Sequence, residues 1–472
     1  MVQGYKVSPM KETVVKELIG QGREAMSLFL ESEQARVDEV VTAIAWSIYQ
    51  IENATQLARQ AVENTGLGNV SDKVAKNQRK TIGTLRDLLR VRTVGIINDD
   101  PKRGIVEYAK PVGVVAAITP STNPVATPVN KAMMAVKGRN AVVIGPSPTG
   151  WPATAATVDL IRQELSRVDA PPDLVQILPA PVSKETTRQL MSAADLVVVT
   201  GSQSNVKSAY SSGTPAIGVG AGNVPVVIDS SADLERAAQK ICASKTFDNS
   251  TSCSSENAVI LIDDVYDAAM EALVRVGGYR TSPKEKSQIE TNLWIDGNLN
   301  PDLIARDSAV FARTAGLSDA AEKALFFMVE ESQFSADSRF ADEKLSLVLT
   351  VYRARDFDDA IAIIQGILAV KGRGHSCGIH TGNPEHARRL AEEIDVVRVL
   401  VNQPHTFGNG GSFDNGLNFT LSMGCGTWGG NSISENLSYR HFINVTHLST
   451  TVEEDRPLEE DLFGPYWAKY GK

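Results

Sequence analysis

The chain has 472 residues, of which 42% are hydrophobic and 22% are charged. Because a single hydrophobic core rarely exceeds ~250–300 residues, this length predicts two large domains. The formal net charge of −9 excludes a general affinity for nucleic acids and anionic membranes, but it leaves room for a local basic pocket that binds a phosphorylated cofactor. Four cysteines without a Cys-x-x-Cys pair exclude a disulfide framework and do not indicate a zinc site.

The first part of the chain is predicted to be helical. Apolar residues at helical spacing predict one long amphipathic helix over residues 32–64, and a second, more polar helix is expected over residues 73–90. Residues 1–16 lack the apolar segment and cleavage site of a signal peptide. No apolar run approaches the ~20 residues that a membrane-spanning helix needs. We therefore expect a cytoplasmic protein.

Short apolar runs alternate with helical patterns from residue 104 to residue 229. These runs have no polar alternation, which is typical of parallel strands buried on both faces. The predicted strands are 112–118, 141–144, 174–178, 196–199 and 224–228, with helices at 127–136 and 153–165. Helices between parallel strands predict a doubly wound α/β sheet.

A second α/β region begins near Ser231. Its predicted helices are 232–246, 266–276, 356–368 and 386–393, and its predicted strands are 257–262, 345–351, 377–381 and 398–401. Residues 280–340 show no clear pattern. Residues 403–431 are rich in glycine, asparagine and serine, and they predict a long loop of the kind that is usually functional or disordered. The acidic segment 453–461 is expected to be a solvated surface.

Two segments have the pattern of strands at a sheet edge. The first is predicted to pair Gly104–Ala109 with Val112–Val115, and the second is His441–Thr446. Exposed strand edges tend to be covered by another segment or chain. We therefore predict a symmetric partner subunit, in a homodimer or homotetramer.

Cys253 follows a polar turn and precedes a predicted strand, so its thiol is expected on a loop at the mouth of a sheet. A thiolate is a strong nucleophile, and its attack on an aldehyde gives a thiohemiacetal that can lose hydride to a nicotinamide ring. The alternative is a buried cysteine that packs as a small hydrophobe, and the local sequence leaves both interpretations open. Cys242 and Cys377 are predicted to be structural, and Cys425 could line the site, although a packing role is favoured for it.

Other polar residues lie at predicted strand ends. The Asn123 amide could stabilise a developing oxyanion, although an Asn-Pro turn is the better-supported interpretation of this residue taken alone. Thr200–Ser202 and Gly218–Asn223 could approach cofactor phosphates or form plain turns, and the fingerprints GxGxxG and GxxxxGK[ST] are absent. His375 could relay a proton and Glu343 could hold ribose hydroxyls, although such residues are more often structural or solvated.

Taken together, these segments resemble the aldehyde dehydrogenase family, and in particular its CoA-acylating branch. The resemblance covers residues 94–447. The segments that carry it are Pro111–Val115, Ile118–Pro124, Ala209–Gly213, Gly218–Asn223, Cys253 with Ser255 and Glu256, Glu343–Ser346, Gly374 with His375, Asn402–Pro404, and Gly424–Gly429.

The resemblance implies a role for each matched residue. Cys253 would be the nucleophile, Asn123 and the backbone N–H of Cys253 would form the oxyanion hole, and His375 would assist proton transfer around the thiol and CoA. The residues implied to bind NAD or NADP are Thr119, Pro120, Ser121, Pro146, Ser147, Thr200, Gly201, Ser202, Gly220 and Glu343.

The family fold implies two doubly wound α/β domains and a small oligomerisation hairpin. On this chain the cofactor-binding domain would span residues 1–230, with oligomerisation strands near 104–115. The catalytic domain would span residues 231–430, and residues 431–472 would form a C-terminal oligomerisation strand and tail.

Val219 distinguishes between two branches of the family. Members that release free acids carry a glutamate at the start of a Glu-Leu-Gly-Gly-Lys segment, where it activates water. Aligning Gly222–Pro225 with the end of that segment places Val219 at the glutamate position, and valine cannot take a proton from water. The thiol of coenzyme A needs far less activation than water, so the resemblance implies an acyl-CoA product.

The substrate is expected to be a short anionic aldehyde, because Asn402–Pro404 and Gly411–Gly416 resemble the enzymes for such aldehydes. Sulfoacetaldehyde is the first candidate and succinate semialdehyde the second. The bulky His405 and Phe407 favour a shorter pocket, or one that offers a sulfonate a donor. No acidic residue follows the strand 141–144 through Ser147 to repel a 2′-phosphate, so NADP and NAD are both permitted.

Two other functions remain in competition with this one. A reductase of the glutamyl-phosphate type shares the fold and a catalytic cysteine but needs no CoA. A non-enzymatic scaffold is disfavoured by the joint presence of Cys253, Asn123 and Glu343.

Overall fold

The computed structural model describes residues 9–472, with side chains described from residue 13 onward. The expectation that the chain begins without a signal peptide concerns residues 1–16, of which residues 1–8 lie outside the described part. Across residues 9–472, no helix is both long enough and apolar enough to cross a membrane.

Helices and strands alternate along the described chain. The α-helices are α1 Pro9–Phe29, α2 Gln34–Tyr49, α3 Ile51–Thr65, α4 Val70–Leu89, α5 Ala126–Lys137, α6 Trp151–Arg167, α7 Lys184–Ala193, α8 Gln203–Tyr210, α9 Leu234–Thr246, α10 Tyr266–Arg275, α11 Pro283–Leu293, α12 Ser308–Ala315, α13 Phe357–Val370, α14 Pro384–Glu393, α15 His405–Gly408 and α16 Glu459–Tyr470. The β-strands are β1 Gly95–Asp100, β2 Ile105–Pro111, β3 Val114–Thr119, β4 Ala141–Pro146, β5 Val175–Ile177, β6 Leu196–Val199, β7 Ala216–Gly218, β8 Val224–Ile228, β9 Glu256–Ile262, β10 Gly278–Arg280, β11 Trp294–Ile295, β12 Asn298–Leu299, β13 Phe326–Glu330, β14 Val348–Ala354, β15 Cys377–His380, β16 Val399–Val401 and β17 Ile443–Ser449.

The prediction of one helix over residues 32–64 is wrong, because the chain breaks between α2 and α3. Gln50 at the break has φ −55° and ψ 131°, which is an extended conformation. Both helices pack against α4, so the break lets each one bury its own apolar face. No glycine or proline marks the position, and periodicity alone could not locate it. The helix predicted at 73–90 is confirmed as α4.

The first large sheet has five parallel strands in the order β5-β4-β3-β6-β7. Its central strand β3 is buried along its whole length and faces two apolar cores. Val115 and Ala117 pack with α2, α3, α5 and α6, while Val114 and Ala116 pack with α1, α7 and α8. Helices therefore cover both faces, as the continuous apolar runs predicted.

The second large sheet has seven parallel strands in the order β10-β13-β14-β9-β8-β15-β16. Helices α9 to α12 cover one face, and α13 and α14 cover the other. The fold is thus α/β with two doubly wound sheets, as predicted. Strand β8, which the sequence grouped with the first sheet, belongs to the second, so the chain crosses between sheets in residues 219–223. The proposed domain boundary at residue 230 stays a prediction.

Residues 280–340, where the sequence showed no pattern, contain α11, α12 and the strand β13 of the second sheet. The start of α11 carries a recognisable signal, a capping box. The Ser282 side chain accepts a hydrogen bond from the Glu285 backbone N–H, while the Glu285 carboxylate accepts one from the Ser282 N–H at 2.9 Å. This Ser-x-x-Glu pattern could have located the helix.

The predicted pairing of Gly104–Ala109 with Val112–Val115 is wrong. Strand β2 pairs instead with β1 and β17 in a three-stranded antiparallel sheet, while Val114 and Val115 begin the buried strand β3. Gly113, at φ 126°, turns the chain from one sheet into the other. The predicted edge segment His441–Thr446 overlaps in sequence with strand β17. All residues of β17 after Ile443 are exposed.

The two large sheets meet with strand ends of opposite polarity. The carboxyl ends of β3, β6 and β7 and the amino ends of β9 and β14 all supply residues to the wall of one cleft. Residues 219–223, which connect the sheets, pass through the same cleft. This junction positions the candidate site.

Candidate active site

A cleft of about 410 Å³ lies where the two large sheets meet. Its volume falls within the range of small-molecule sites. It brings together these residues proposed from the sequence: Cys253, Asn123, Pro120, Ser121, Thr200, Gly201, Ser202, Gly220 and Glu343. Residues from the two halves of the chain therefore form one site, although their roles stay predictions.

Cys253 is half-buried on the turn that leads into β9. The preceding residues Asp248, Asn249 and Ser250 have φ values of 51°, 53° and 62°. This left-handed region is uncommon for residues other than glycine and costs roughly 1–3 kcal/mol per residue. Such strain persists only where the surrounding structure holds it, and it clusters at functional sites.

Asp248 holds this turn in place. Its buried carboxylate accepts hydrogen bonds from the Asn69 backbone N–H at 3.0 Å, from Lys73 Nζ at 3.0 Å and from Thr251 Oγ1 at 2.7 Å, and it also pairs with Lys76. Burial by itself would raise the pKa of Asp248, but the charges of Lys76 and Lys73 outweigh burial and lower that pKa. The turn that presents Cys253 is therefore tied to α4 by a buried ionic cluster.

Burial raises the pKa of the Cys253 thiol to about 12, and the nearby Glu343 adds to the shift. Glu343 itself is half-buried in the cleft wall, and burial raises its pKa to about 8. In the cofactor-free protein, both groups therefore carry their protons at neutral pH.

The raised pKa of Cys253 predicts how its alkylation depends on pH. Because the thiolate is the reactive form, the rate of modification by iodoacetamide should rise about 100-fold from pH 7 to pH 9. Mass spectrometry of the Cys253 peptide in the cofactor-free protein measures this rate, and Cys253→Ser protein gives the background from the other three cysteines. A plateau below pH 9 would contradict the shift.

Asn123 follows β3 and lines the cleft. Its side-chain oxygen accepts a hydrogen bond from Lys76 Nζ at 2.9 Å, whereas its amide nitrogen has only a 3.4 Å contact with Thr122 Oγ1. The bond to the ammonium group fixes the orientation of the amide, and the amide keeps one N–H donor beyond the long bond to Thr122. Lys76 also donates to Thr251 Oγ1 at 3.1 Å, two residues from Cys253. A simple turn does not require this arrangement, which suits an oxyanion donor.

Replacing Lys76 with methionine should lower kcat by roughly 10- to 100-fold with little change in KM, because the Asn123 amide loses the partner that orients it. Lys73→Met is the matched control, since Lys73 also pairs with Asp248 but bonds no atom of Asn123. Steady-state kinetics of both variants test this. Equal losses of kcat in the two would assign the effect to the ionic cluster and not to Asn123.

The residues proposed to hold the cofactor form one wall of the cleft. Thr200, Gly201 and Ser202 follow β6 and precede α8, and Thr200 Oγ1 lies 2.5 Å from Ser422 Oγ. Thr119, Pro146 and Ser147 do not line the cleft. Thr119 and Pro146 are buried partners across β3 and β4, and the Ser147 N–H donates to the Thr119 carbonyl at 3.2 Å. Their proposed part in cofactor binding stays a prediction.

His375 lies outside the cleft wall. Its side chain is buried, with Nδ1 2.8 Å from Ser376 Oγ and Nε2 without a hydrogen-bond partner. Burial lowers the pKa of His375 well below its usual value, and the charge of Arg398 lowers it further. The imidazole is therefore neutral at pH 7, and its proposed part in proton transfer stays a prediction.

The remaining cysteines have packing environments. All four are free thiols. Cys377 and Cys425 are fully buried, and Cys242 is half-buried against the core beneath α9. The structure thus agrees with the prediction that these three are structural.

The sequence reasoning missed the contribution of α4. Lys76, Arg79 and Lys80 line the cleft, although the sequence predicts this helix only as a polar one. Their i, i+3, i+4 spacing places them on one face of a helix, and that spacing is the signal that could have revealed them. Phe247 and Leu421, from the two loops that flank the cleft, were also missed.

Comparisons with known proteins agree with this geometry. The sequence model of the aldehyde dehydrogenase family matches residues 4–279. The chain is 50% identical over 459 residues to a sulfoacetaldehyde dehydrogenase (acylating) of Cupriavidus necator, covering 97% of this chain and 93% of the relative. It is 38% identical to a succinate-semialdehyde dehydrogenase (acetylating) of Clostridium kluyveri, covering 96% of this chain and 99% of the relative. A Rhodopseudomonas palustris propionaldehyde dehydrogenase, solved with bound CoA and an acylated cysteine, superposes with a TM-score of 0.80 at 25% identity, covering 92% of this chain and 97% of that one.

Proposed function

The chain belongs to the aldehyde dehydrogenase family, and from this membership we propose that it converts sulfoacetaldehyde, CoA and NAD(P)⁺ into the acyl-CoA and NAD(P)H. Its activity is that of an acylating aldehyde dehydrogenase. The observation that carries the proposal is the joint presence in one cleft of the Cys253 thiol and an Asn123 amide that Lys76 orients and that keeps one N–H donor free.

The residues of the cofactor wall fit a dinucleotide. Thr200–Ser202 line the cleft and precede the first turn of α8, a position that suits phosphate groups. Thr200, Gly201 and Ser202 would hold the pyrophosphate, and Glu343 would contact the nicotinamide ribose. Bound NAD(P)⁺ supplies the hydride acceptor, and CoA supplies the thiol that takes the acyl group.

The chain's own groups perform the covalent steps. The Cys253 sulfur attacks the aldehyde carbon, which forms a C–S bond and an alkoxide, and the thiol proton passes to solvent. The Asn123 amide and the Cys253 backbone N–H donate to that oxygen. Loss of hydride from the carbon then leaves a thioester on Cys253, and transfer of the acyl group to CoA regenerates the thiol.

Val219 lines the cleft at the position where acid-releasing members of the family carry glutamate. Because valine cannot accept a proton, the thioester is protected from hydrolysis.

The product of the reaction tests this proposal. With sulfoacetaldehyde, NADP⁺ and CoA, mass spectrometry should detect sulfoacetyl-CoA in a 1:1 ratio to NADPH. Without CoA, NADPH formation should stop after about one turnover per subunit, because the thioester has no acceptor. Release of free acid at an undiminished rate without CoA would contradict the acylating mechanism.

Succinate semialdehyde is the second candidate substrate, and the Clostridium kluyveri relative supports it. The higher identity to the sulfoacetaldehyde enzyme and the bulk of Phe407 in the cleft wall favour the shorter aldehyde. A comparison of kcat/KM for the two aldehydes distinguishes them. The CoA-independent reductase and the non-enzymatic scaffold have no support from these relatives.

The assembly and cellular location are further proposals. Strand β17 pairs with β2 on one side and leaves its other edge exposed, which supports a homodimer or homotetramer completed through that edge. The four free thiols suit a reducing compartment, and we place the enzyme in the cytoplasm.

A further inference from the structure

The cleft carries an excess of positive charge although the whole chain has a net charge of −9. Among the described residues that line it, the cations are Lys76, Arg79, Lys80 and Lys371, and Glu343 is the single carboxylic acid. Because burial raises the pKa of Glu343 to about 8, this acid is neutral at pH 7. An anion that enters the cleft therefore meets a cationic environment.

Two of the four cations already have anionic partners. Lys76 pairs with Asp248 and orients Asn123. Lys371 Nζ lies 2.6 Å from an Asp342 carboxylate oxygen. Lys76 and Lys371 therefore already form ion pairs within the protein.

Within residues 13–472, neither Arg79 nor Lys80 forms a direct ion pair, although the Asp414 carboxylate, which accepts a hydrogen bond from Ser412 Oγ, acts on Arg79 through space. Lys80 Nζ donates to the Gly410 carbonyl at 2.7 Å, and Arg79 Nη2 donates to Ser412 Oγ at 2.8 Å; both acceptors are uncharged. Arg79 Nε is buried without any hydrogen-bond partner. A buried donor without an acceptor is unfavourable in free energy. Arg79 Nε is therefore a donor that a bound ligand could satisfy.

Aromatic rings hold these cations in place. The Arg79 guanidinium carbon lies 5.6 Å from the ring centre of Phe407 and 5.2 Å from that of Phe413, and Lys80 Nζ lies 5.4 Å from the ring centre of Phe419. These distances allow cation–π interactions, which restrict both side chains. Burial lowers the pKa of Lys80 to about 7, and the charges of Arg79 and Lys76 lower it further. A bound anion would favour the charged form.

We infer that Arg79 and Lys80 form an anion subsite that binds the sulfonate of the aldehyde substrate and selects anionic over neutral aldehydes. This inference rests on the proposed function, since it assigns the far end of the substrate whose carbonyl meets Cys253. The three sulfonate oxygens can each accept a hydrogen bond, which matches the guanidinium and ammonium donors. Lys76, on the same face of α4, contacts the catalytic turn, so one helix would serve both ends of a short substrate.

The inference is tested by Arg79→Leu and Lys80→Met, each assayed with sulfoacetaldehyde and with propionaldehyde, a short neutral aldehyde. Each substitution should lower kcat/KM for sulfoacetaldehyde by roughly 10- to 100-fold, the loss expected for a hydrogen bond between charged groups. It should change kcat/KM for propionaldehyde by less than about threefold, because a neutral aldehyde makes no contact that depends on these charges. Lys80→Arg should recover part of the loss. The matched control is Arg90→Met, which removes an exposed charge from the end of α4 and should leave both aldehydes unaffected.

The outcomes separate the inference from the proposed function. Equal losses for the two aldehydes, or no loss for either, would overturn the anion subsite while leaving an acylating enzyme in place. Wild-type protein that forms no acyl-CoA from any aldehyde would instead overturn the proposed function. Inhibition by 2-hydroxyethanesulfonate, competitive with the aldehyde, gives an independent readout. Its inhibition constant should rise at least tenfold in Arg79→Leu, and an unchanged constant would also overturn the subsite.

Discussion

Replacing Cys253 with serine is expected to lower acyl-CoA formation by at least ~10³-fold, because a hydroxyl is a much weaker nucleophile than a thiol. Of the four cysteines, Cys253 and Cys425 lie near one another, but only Cys253 lines the cleft. The substitution changes one atom, so the free energy of unfolding should change by less than about 1 kcal/mol. Acyl-CoA production measured by mass spectrometry, together with the circular dichroism melting curve, tests both expectations.

Cys242→Ser is the matched control for this experiment. Cys242 lies on α9 and donates a hydrogen bond to the Val276 carbonyl at 3.2 Å, away from the cleft. Its serine variant should keep activity within about threefold of wild type, since it alters no group that meets the substrate. Turnover that survives in Cys253→Ser would remove Cys253 from the mechanism, and with it the proposed thioester route.

Replacing Gly222 with alanine is expected to produce the second-largest loss, about 100-fold in kcat. A Cβ at position 222 would lie 2.0 Å from the Cys253 carbonyl oxygen and 2.7 Å from its carbonyl carbon. Backbone atoms cannot rotate away as the end of a flexible side chain can. The turn that carries the thiol must therefore shift, and a displacement of about 1 Å in a catalytic group can cost 10²-fold in rate.

Gly20→Ala is the control for the added methyl group, because Gly20 lies in α1 and a Cβ at this position would have no neighbouring atom within 4 Å. It should keep full activity and stabilise the protein by roughly 0.5–1 kcal/mol, as alanine does for glycine within a helix. Steady-state kinetics and thermal melting of both variants make the comparison. Normal turnover in Gly222→Ala would show that the position of the Cys253 turn does not limit the reaction.

Much of the fold follows from local patterns. The runs at Ala141–Ile144 and Leu196–Val199 predict buried parallel strands, and they form β4 and β6. The break at Gln50 and the partners of β2 could not be predicted in this way. The first depends on two helices packing on α4, and the second on β17, which lies more than 300 residues later in the chain. Neither contact produces a recognisable pattern in the local sequence.

By itself, the sequence determined the fold class, the family and the identity of the candidate nucleophile, because apolar periodicity and short motifs are properties of neighbouring residues. Only the tertiary structure decided which side chains share the cleft. It placed Arg79 and Lys80 of an unremarkable polar helix in the same cleft as Cys253, and it left His375 outside the wall. The physical reason is that electrostatic and hydrogen-bonding partners act over a few ångströms in space, and residues 76 and 253 become neighbours only when two sheets and a helix pack together.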